Sequence, residues 1–453
     1  MSKLLDFTKF VILSNWSVAH LLESQFQYNK NFKLEKVGAF LKRSKTQVVV
    51  DDDTEYKRVT IKLYNKGVFL RNKEYGRNIG TKKQFLIKEG QFLLSKIDAR
   101  NSAFGLATEE VDGAIITADF FAYDIDITKI EPYFLVLLTT TKKFQHFAQS
   151  ASSGTTGRQR IDESKFLEVK IPLPSLKEQK NIVKKFHEKF NLAKKQELEA
   201  SQKESEIEKY LKSILALKKI EDPSNKLLNF IKYEQINSWS YRDLLGSFLL
   251  VSNKFETVKL VQKSDLYIDV FRGKSPKYSD KSDSIILNQK CIRWNCIELE
   301  HSKSVDDDWY QNIDKSFFTK KGDILINSTG DGTIGRATCI TEKYINLIYD
   351  SHILLLRVNP EKINPLFLTY FINSSLGQLQ IENIKSAVAT KQTELGINNL
   401  KNMQFILPPI DIQNEIAEKI ELLKNEIKSL NQKSEQNKDL AVQDFESEIF
   451  NEA

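Results

Sequence analysis

Two stretches of the chain carry apolar residues at alternating spacings of three and four. Between Lys177 and Lys219 there is neither Gly nor Pro, and the apolar positions include Ile182, Phe186, Ala193, Ala200, Ile207, Leu211 and Ile214. Ile416, Ile420, Leu423, Ile427 and Leu430 keep the same alternation, and the register then carries Ser434, Asn437 and Ala441. This is the period of a helix with one apolar stripe. Each stretch predicts a helix of about 40 residues, ~60 Å at 1.5 Å per residue, longer than a small domain can cover. Each stripe needs a partner, and the economical one is the other helix. An antiparallel pair is expected, through Ile182, Phe186, Ala193 and Ile207 on one side and Ile416, Ile420, Leu423 and Ile427 on the other.

Upstream of each long helix the pattern differs. Strand-like runs appear first: VVVDDDTEYKRVTIKLYN, GQFLLSKI and GAIITADFFAYDI, then later GDILINST, ATCIT and HILLLRV. A short helical segment follows, PYFLVLLTTTKKFQHF or PLFLTYFINSSLGQLQ. A Pro-containing hinge, IPLPSL or ILPPID, precedes each long helix. Proline cannot sit in a helix interior, so a new element starts just after it.

The parallel order reflects an internal duplication. Asn15-Trp16-Ser17 with Leu21-Leu22 returns as Ser238-Trp239-Ser240 with Leu244-Leu245, 223 residues on, and Phe32 and Phe255 keep that offset. Phe85 and Gly90 match Phe317 and Gly322 at an offset of 232, and Pro132 matches Pro365 at 233. Arg158-Gln159 matches Lys391-Gln392 at 233, and Gln179 matches Gln413 at 234. So small a drift across half a chain makes the protein two copies of one unit. The expected fold class is α+β: two tandem mixed α/β domains, residues 1–174 and 221–408, separated by two long helices, 175–220 and 409–453, that form an antiparallel coiled coil with pseudo-twofold symmetry.

Composition narrows the function classes. Lys and Arg outnumber Asp and Glu by 67 to 60, for a net charge of +7, a modest excess that suits a polyanionic partner. Three Cys (Cys291, Cys296, Cys339) do not make a disulfide framework, and the five His (His20, His146, His187, His301, His352) are scattered singly, without zinc-ligand spacing. The N-terminal apolar stretch contains Asp6 and Lys9 and lacks a small-residue cleavage site. A soluble, cytoplasmic protein with no metal site is expected.

Catalytic motifs are missing. Gly330-Asp331-Gly332-Thr333-Ile334-Gly335 fits G-x-G-x-x-G, but the residues that follow, Arg336-Ala337-Thr338-Cys339, read as a strand, whereas a dinucleotide or S-adenosylmethionine loop opens a helix. A tight strand-to-strand turn is expected. Asp222-Pro223-Ser224 and Asn364-Pro365-Leu366 fail the adenine-methyltransferase pattern, and no Walker loop, H-E-x-x-H or G-x-S-x-G occurs. Each copy does hold polar, basic, glycine-bounded loops. In the first these contribute Lys82, Lys83, Gln84, Lys96, Arg100, Asn101, Arg158 and Gln159; in the second, Asn327, Ser328, Thr329, Arg336, Lys391 and Gln392. Arg, Lys, Asn and Gln read base edges, while Ser and Thr serve phosphates, so these are the candidate DNA contacts. Taken singly, each is equally well a solvated turn residue; their recurrence in both copies favours a shared role.

IPLPSLKEQKNIVKKF and its repeat LPPIDIQNEIAEKI resemble the hinge-plus-helix signature of the specificity subunits of type I restriction-modification systems. KIDARNSAFGLATEEVDGAIITADF and GDILINSTGDGTIGRATCI resemble two kinds of target-recognition core found in that family. The resemblance implies that each domain reads one half of a split double-stranded DNA site and that the helices dock two methyltransferase subunits, joined by motor-nuclease subunits where restriction occurs. It implies a chain without a cofactor of its own, the S-adenosylmethionine, ATP and Mg²⁺ belonging to partners. Three other readings stand beside it: the recognition subunit of a related methylation-only or phage-exclusion system, a stand-alone divergent DNA-cleaving enzyme, and a coiled-coil scaffold without DNA function.

Overall fold

The computed structural model describes residues 28–63, 66–141, 144, 152–153, 160–217, 250–330, 332–384, 386–387 and 393–450. The chain divides into two compact units, Met1–Gln196 with Gln432–Ala453, and Glu197–Asn431. The division passes through both long helices, so each contributes one part to each unit. The repeated Trp16 and Trp239 motifs lie outside the described residues.

In the first unit the strands are β1 (Lys33–Lys36), β2 (Leu41–Ser44), β3 (Gln47–Val49), β4 (Glu55–Lys62), β5 (Gly67–Tyr75), β6 (Lys83–Leu86), β7 (Phe92–Ser95), β8 (Phe104–Leu106), β9 (Ile115–Ile116) and β10 (Phe120–Ile125). Helix α1 (Pro132–Thr140), the hairpin β11 (Ser152–Ser153) and β12 (Arg160–Ile161), helix α2 (Glu163–Leu167) and β13 (Lys170–Leu173) lead to the long helix α3 (Leu176–Ile214). An antiparallel four-stranded sheet, β2-β10-β7-β8, lies beside a five-stranded sheet, β3-β6-β9-β4-β5. The main core joins Phe92 and Leu94 of β7, Phe134 and Leu138 of α1, Ile182 and Val183 of α3, and the chain's late residues Phe445 and Ile449.

The second unit contains β14 (Glu256–Lys259), β15 (Tyr267–Arg272), β16 (Ile285–Leu287), β17 (Ile292–Arg293), β18 (Cys296–Ile297), β19 (Lys303–Ser304), α4 (Asp307–Gln311), β20 (Ile324–Asn327), β21 (Ala337–Cys339), β22 (Ile348–Tyr349) and β23 (Ile353–Val358). Then come α5 (Pro365–Asn373), α6 (Ser375–Ile384), β24 (Ser386–Ala387), β25 (Thr393–Glu394), α7 (Ile397–Asn402), β26 (Gln404–Leu407) and α8 (Ile410–Ile449). Its four-stranded sheet, β15-β23-β20-β21, repeats the order of β2-β10-β7-β8, and β14-β26 repeats β1-β13. Ile324 and Ile326 of β20 pack with α5 and α8 residues in one core, and Leu325 packs into another on the opposite face.

Two local devices recur with the duplication. Gly90 and Gly322 both have positive φ (80° and 85°), and their N–H groups donate to Ala107 O and Ile340 O at 2.9 Å, turning the chain into β7 and β20. At each hinge a fully buried glutamine crosslinks the backbone. Gln179 Nε2 donates to Lys129 O (3.1 Å) and Pro174 O (2.8 Å), and its Oε1 accepts from Glu131 N (2.8 Å). Gln413 does the same with Lys362 O (3.0 Å), Pro408 O (2.8 Å) and Asn364 N (2.9 Å). One side chain thus satisfies three backbone groups, one at the proline hinge and two at the start of the preceding short helix, twice.

The stripe residues lie inward as the heptad pattern requires. Ile182, Ala193, Ile416, Ile420, Leu423 and Ile427 are buried, while Phe186 and Ile207 are half-buried against their cores. In the first unit α3 and α8 run antiparallel: Lys185 Nζ meets Glu448 Oε1 at 2.7 Å, Lys189 meets Asp444, and Asn437 Nδ2 donates to Gln196 Oε1 at 3.0 Å. In the second, Lys203 pairs with Glu426, and Leu211 shares a core with Ile416 and Ile420. Among the described residues no helix is long and apolar enough to cross a membrane.

Candidate nucleic-acid interface

In each unit an equivalent backbone hydrogen bond joins the start of the first candidate loop to the strand pair that flanks the second. In the first, Ile161 N donates to Lys96 O at 2.9 Å, joining the end of β7 to the β11–β12 hairpin. In the second, Leu395 N donates to Ser328 O at 2.8 Å, joining the end of β20 to the β24–β25 hairpin. The hairpins pair Ser152 with Ile161 and Ser386 with Glu394, so each brackets the loop bearing the duplicated basic-Gln pair. Arg158, Gln159, Lys391 and Gln392 themselves, and the Arg100 side chain, lie outside the described residues.

The first unit gathers cations at this junction. The Lys96 ammonium is 5.3 Å from the Phe121 ring centre, and the Arg43 guanidinium lies 3.8 Å from the same ring. Arg160 Nη2 reaches Asp119 Oδ1 at 3.2 Å, and Asp119 O accepts from Lys96 N at 2.7 Å. Arg43 is largely buried; its Nη2 donates to Phe120 O at 3.3 Å, while its Nε and Nη1 find no hydrogen-bond partner, with Glu163 at 3.6 Å from Nη1. A buried guanidinium left with unused donors is costly unless an acceptor arrives, which makes Arg43 a candidate that sequence reasoning missed. Its only sequence signal was the basic run Lys42-Arg43. Asn101 is half-buried in the turn after Lys96, its N–H bonded to Asp98 O at 2.8 Å.

Several expected contacts are corrected. Gln84 is buried, with Nε2 bonded to Thr81 O at 2.9 Å. Lys82 is tied to Asp52 and to Gly76 O (2.7 Å), closing a turn. Lys83 is exposed at the start of β6, in the five-stranded sheet. Asn327 and Ser328 are fully buried: Asn327 Nδ2 donates to Gln289 O (3.0 Å), and Ser328 Oγ donates to Leu395 O (2.9 Å). The Asn327 and Ser328 side chains thus bond within the frame.

Thr329 and Arg336 remain accessible. Thr329 Oγ1 lies 3.1 Å from Gln289 Oε1 and 2.7 Å from His352 Nδ1. Arg336 Nη2 donates to Gly332 O at 2.9 Å, and its guanidinium is 5.7 Å from the exposed Trp294 ring. The Gly330–Gly335 loop joins β20 to its antiparallel neighbour β21, and Gly330, Gly332 and Gly335 all have positive φ, so it is the strand-to-strand turn expected and no helix opens from it. Among the described residues one trio, Glu298, Glu300 and His301, has cation-ligand spacing. Arg293 already engages it, through Glu298 Oε2 at 2.7 Å and His301 Nε2 at 3.1 Å. Arginine only donates, so the imidazole lone pair there is occupied.

Comparison with known proteins gives a consistent result. The family model for the type I restriction modification DNA specificity domain matches residues 29–209 and 269–437. The StySPI specificity subunit of Salmonella potsdam, a type I restriction enzyme subunit, is 35% identical over 72 residues, 16% of this chain and 15% of that protein. The MjaVIII specificity subunit of Methanocaldococcus jannaschii is 26% identical over 312 residues, 67% of this chain and 66% of its own length. The matches thus span less than two thirds of either relative. A chain from a structure concerning complex assembly and conformational transition of the type I R-M system shares the fold, with TM-score 0.57 and 14% identity over 93% of this chain and 98% of that one. Two matched stretches covering most of the sequence, laid on a duplicated frame, place the chain in the type I restriction modification DNA specificity family.

Proposed function

We propose that this chain is the DNA-reading subunit of a type I restriction-modification complex, each unit recognising one half of a bipartite duplex site. The observation that carries the reading is the repeated junction: the same backbone bond ties the start of one polar loop to the strand pair flanking the other in both units, Lys96 to Ile161 and Ser328 to Leu395. A shared frame with unlike side chains is what two different half-sites call for. Splitting the site doubles the number of base contacts, and each mismatch costs ~1–3 kcal/mol, so specificity grows without enlarging either surface. The long helices are the docking surface for two adenine methyltransferase subunits, with motor-nuclease subunits where restriction occurs. S-adenosylmethionine, ATP and Mg²⁺ are bound by those partners, in the cytoplasm, and this chain catalyses no step.

The test is selection of duplexes from a random library by the full-length protein, followed by methylation mapping after co-expression with its methyltransferase. A two-part motif separated by a fixed unread spacer, methylated only when both proteins are present, is expected. Absence of any sequence preference, or methyl transfer or cleavage by the pure chain, overturns the proposal.

A further inference from the structure

In the second unit an open cleft of about 350 Å³ lies beside the β20–β21 turn, with Gln289, Lys290, Lys303, Asp350 and His352 among its lining residues. They come from three separate segments, and in the sequence only His352 stood out, as one of five scattered histidines. The buried Asn327 holds the Gln289 carbonyl at 3.0 Å, and Gly330, with φ of 99°, lies so close that a Cβ there would stand 2.9 Å from Gln289 Oε1. Asp350, 3% exposed, accepts the His352 backbone N–H at 2.9 Å and fixes that residue at the head of β23. Thr329 then ties the two side chains together.

Counting protons on that tie determines what is left over. The Thr329 hydroxyl has one proton, which goes to Gln289 Oε1; the contact with His352 is a hydrogen bond at the same time only if Nδ1–H donates to the hydroxyl. The imidazole then presents Nε2 as an acceptor, and the Gln289 amide presents two N–H donors. A donor beside an acceptor complements the adenine edge in the major groove, where N7 accepts and N6 donates; guanine offers two acceptors there. Lys290 and Lys303 are exposed at the rim, placed for phosphates.

The first unit carries different chemistry at the same place. By strand register Asp119 occupies the position of His352, each immediately preceding its strand, and it pairs with Arg160. The frame is repeated but the reading groups are not.

We propose that Gln289 and His352, oriented by Thr329, determine one base of the second half-site, an adenine read from the major groove of duplex DNA. This rests on the DNA-reading function proposed above. The test is library selection with the full-length protein and the variants Gln289→Ala, His352→Ala, Thr329→Val and Lys290→Ala. Gln289→Ala and His352→Ala should each lose preference at one shared position by about 5- to 100-fold, the other half-site staying unchanged. Thr329→Val should loosen the same position, and Lys290→Ala should weaken all sequences alike and lower the salt slope by about one. These side chains line an open cleft, so unchanged melting temperatures are the folding control, with His352→Gln as a second variant that keeps a polar group. If the parent enriches a motif and both alanine variants keep it at full preference, the cleft does not read bases; a shared position that selects guanine overturns the adenine assignment. If the parent enriches no motif, the DNA-reading function itself fails.

Discussion

Asp323 and Arg357 form a buried, bidentate ion pair at the root of the strands that lead to the candidate interface. Arg357 Nε and Nη2 meet Asp323 Oδ1 and Oδ2 at 2.7 and 2.8 Å, and the residues are 8% and 1% exposed. Asp323 also accepts from Lys320 N at 2.7 Å, closing the turn that begins β20. Asp323→Leu removes both acceptors and leaves the guanidinium with two carbonyls, Ser316 O at 3.5 Å and Phe318 O at 3.3 Å, and with Asp269 at 3.7 Å. Breaking such a pair from one side costs about 3–5 kcal/mol, whereas replacing both partners by apolar residues is often nearly neutral. Asp323→Leu and Arg357→Leu should therefore each destabilise the second unit by about that amount, and the two together by much less than their sum. With a urea dependence near 3 kcal/mol per molar, the single variants lower the unfolding midpoint by about 1–2 M. Hydrogen exchange resolved by peptide assigns the loss to the second unit, where the first unit's counterpart, Gln91 Nε2 to Asp124 Oδ1 at 2.7 Å, is untouched. Single variants that each lose less than about 1 kcal/mol, or a double variant that loses their full sum, would refute the reasoning.

The remaining expectations concern the hinge, the cleft and the helix seam. Gln179→Leu and Gln413→Leu each strand three buried backbone groups, at ~1–3 kcal/mol per group, so local exchange should rise at residues 129–131, or at 362–364, by similar amounts; protection unchanged in either case speaks against the crosslink. Burial raises the Asp350 carboxyl above the usual range, with His352 and Lys303 opposing. A raised folded pKa favours the fold below the unfolded pKa and loses that contribution as pH rises through the folded value. Asp350→Asn, which keeps the acceptor for His352 N, should thus stabilise the second unit at neutral pH and progressively less toward pH ~4, in melts run across that range; a gain independent of pH contradicts this. Gln196→Leu with Asn437→Leu replaces a polar pair in the seam by apolar contact and should raise the melting temperature, at the expense of a fixed register. A lower melting temperature would mean that the pair stabilises more than it specifies.

The duplicated frame was legible in the sequence because it depends on local rules. Proline placed the hinges before α3 and α8, the 4-3 spacing placed their inward faces, and Gly90 and Gly322 marked equivalent turns whatever lay around them. What escaped was whatever depends on which side of a sheet is covered. β20 is buried on both faces, with Ile324 and Ile326 in one core and Leu325 in another, so alternation carried no information and Asn327 looked like a surface reader when it is an interior strut. Gln84 is hidden for a similar reason, in a sheet whose flanks close over it. Phe445 and Ile449 lie past the point where the heptad had thinned to Ser434 and Ala441, and only packing shows that they complete the first unit's core. Gln289 and His352 stand 40 and 23 residues from the threonine that joins them. No period or motif connects positions so far apart. The sequence by itself settled the repeat, its elements and its turns, since these follow from backbone preference and hydrophobic period, whereas the facing of each polar side chain was decided by the sheets and helices that covered it.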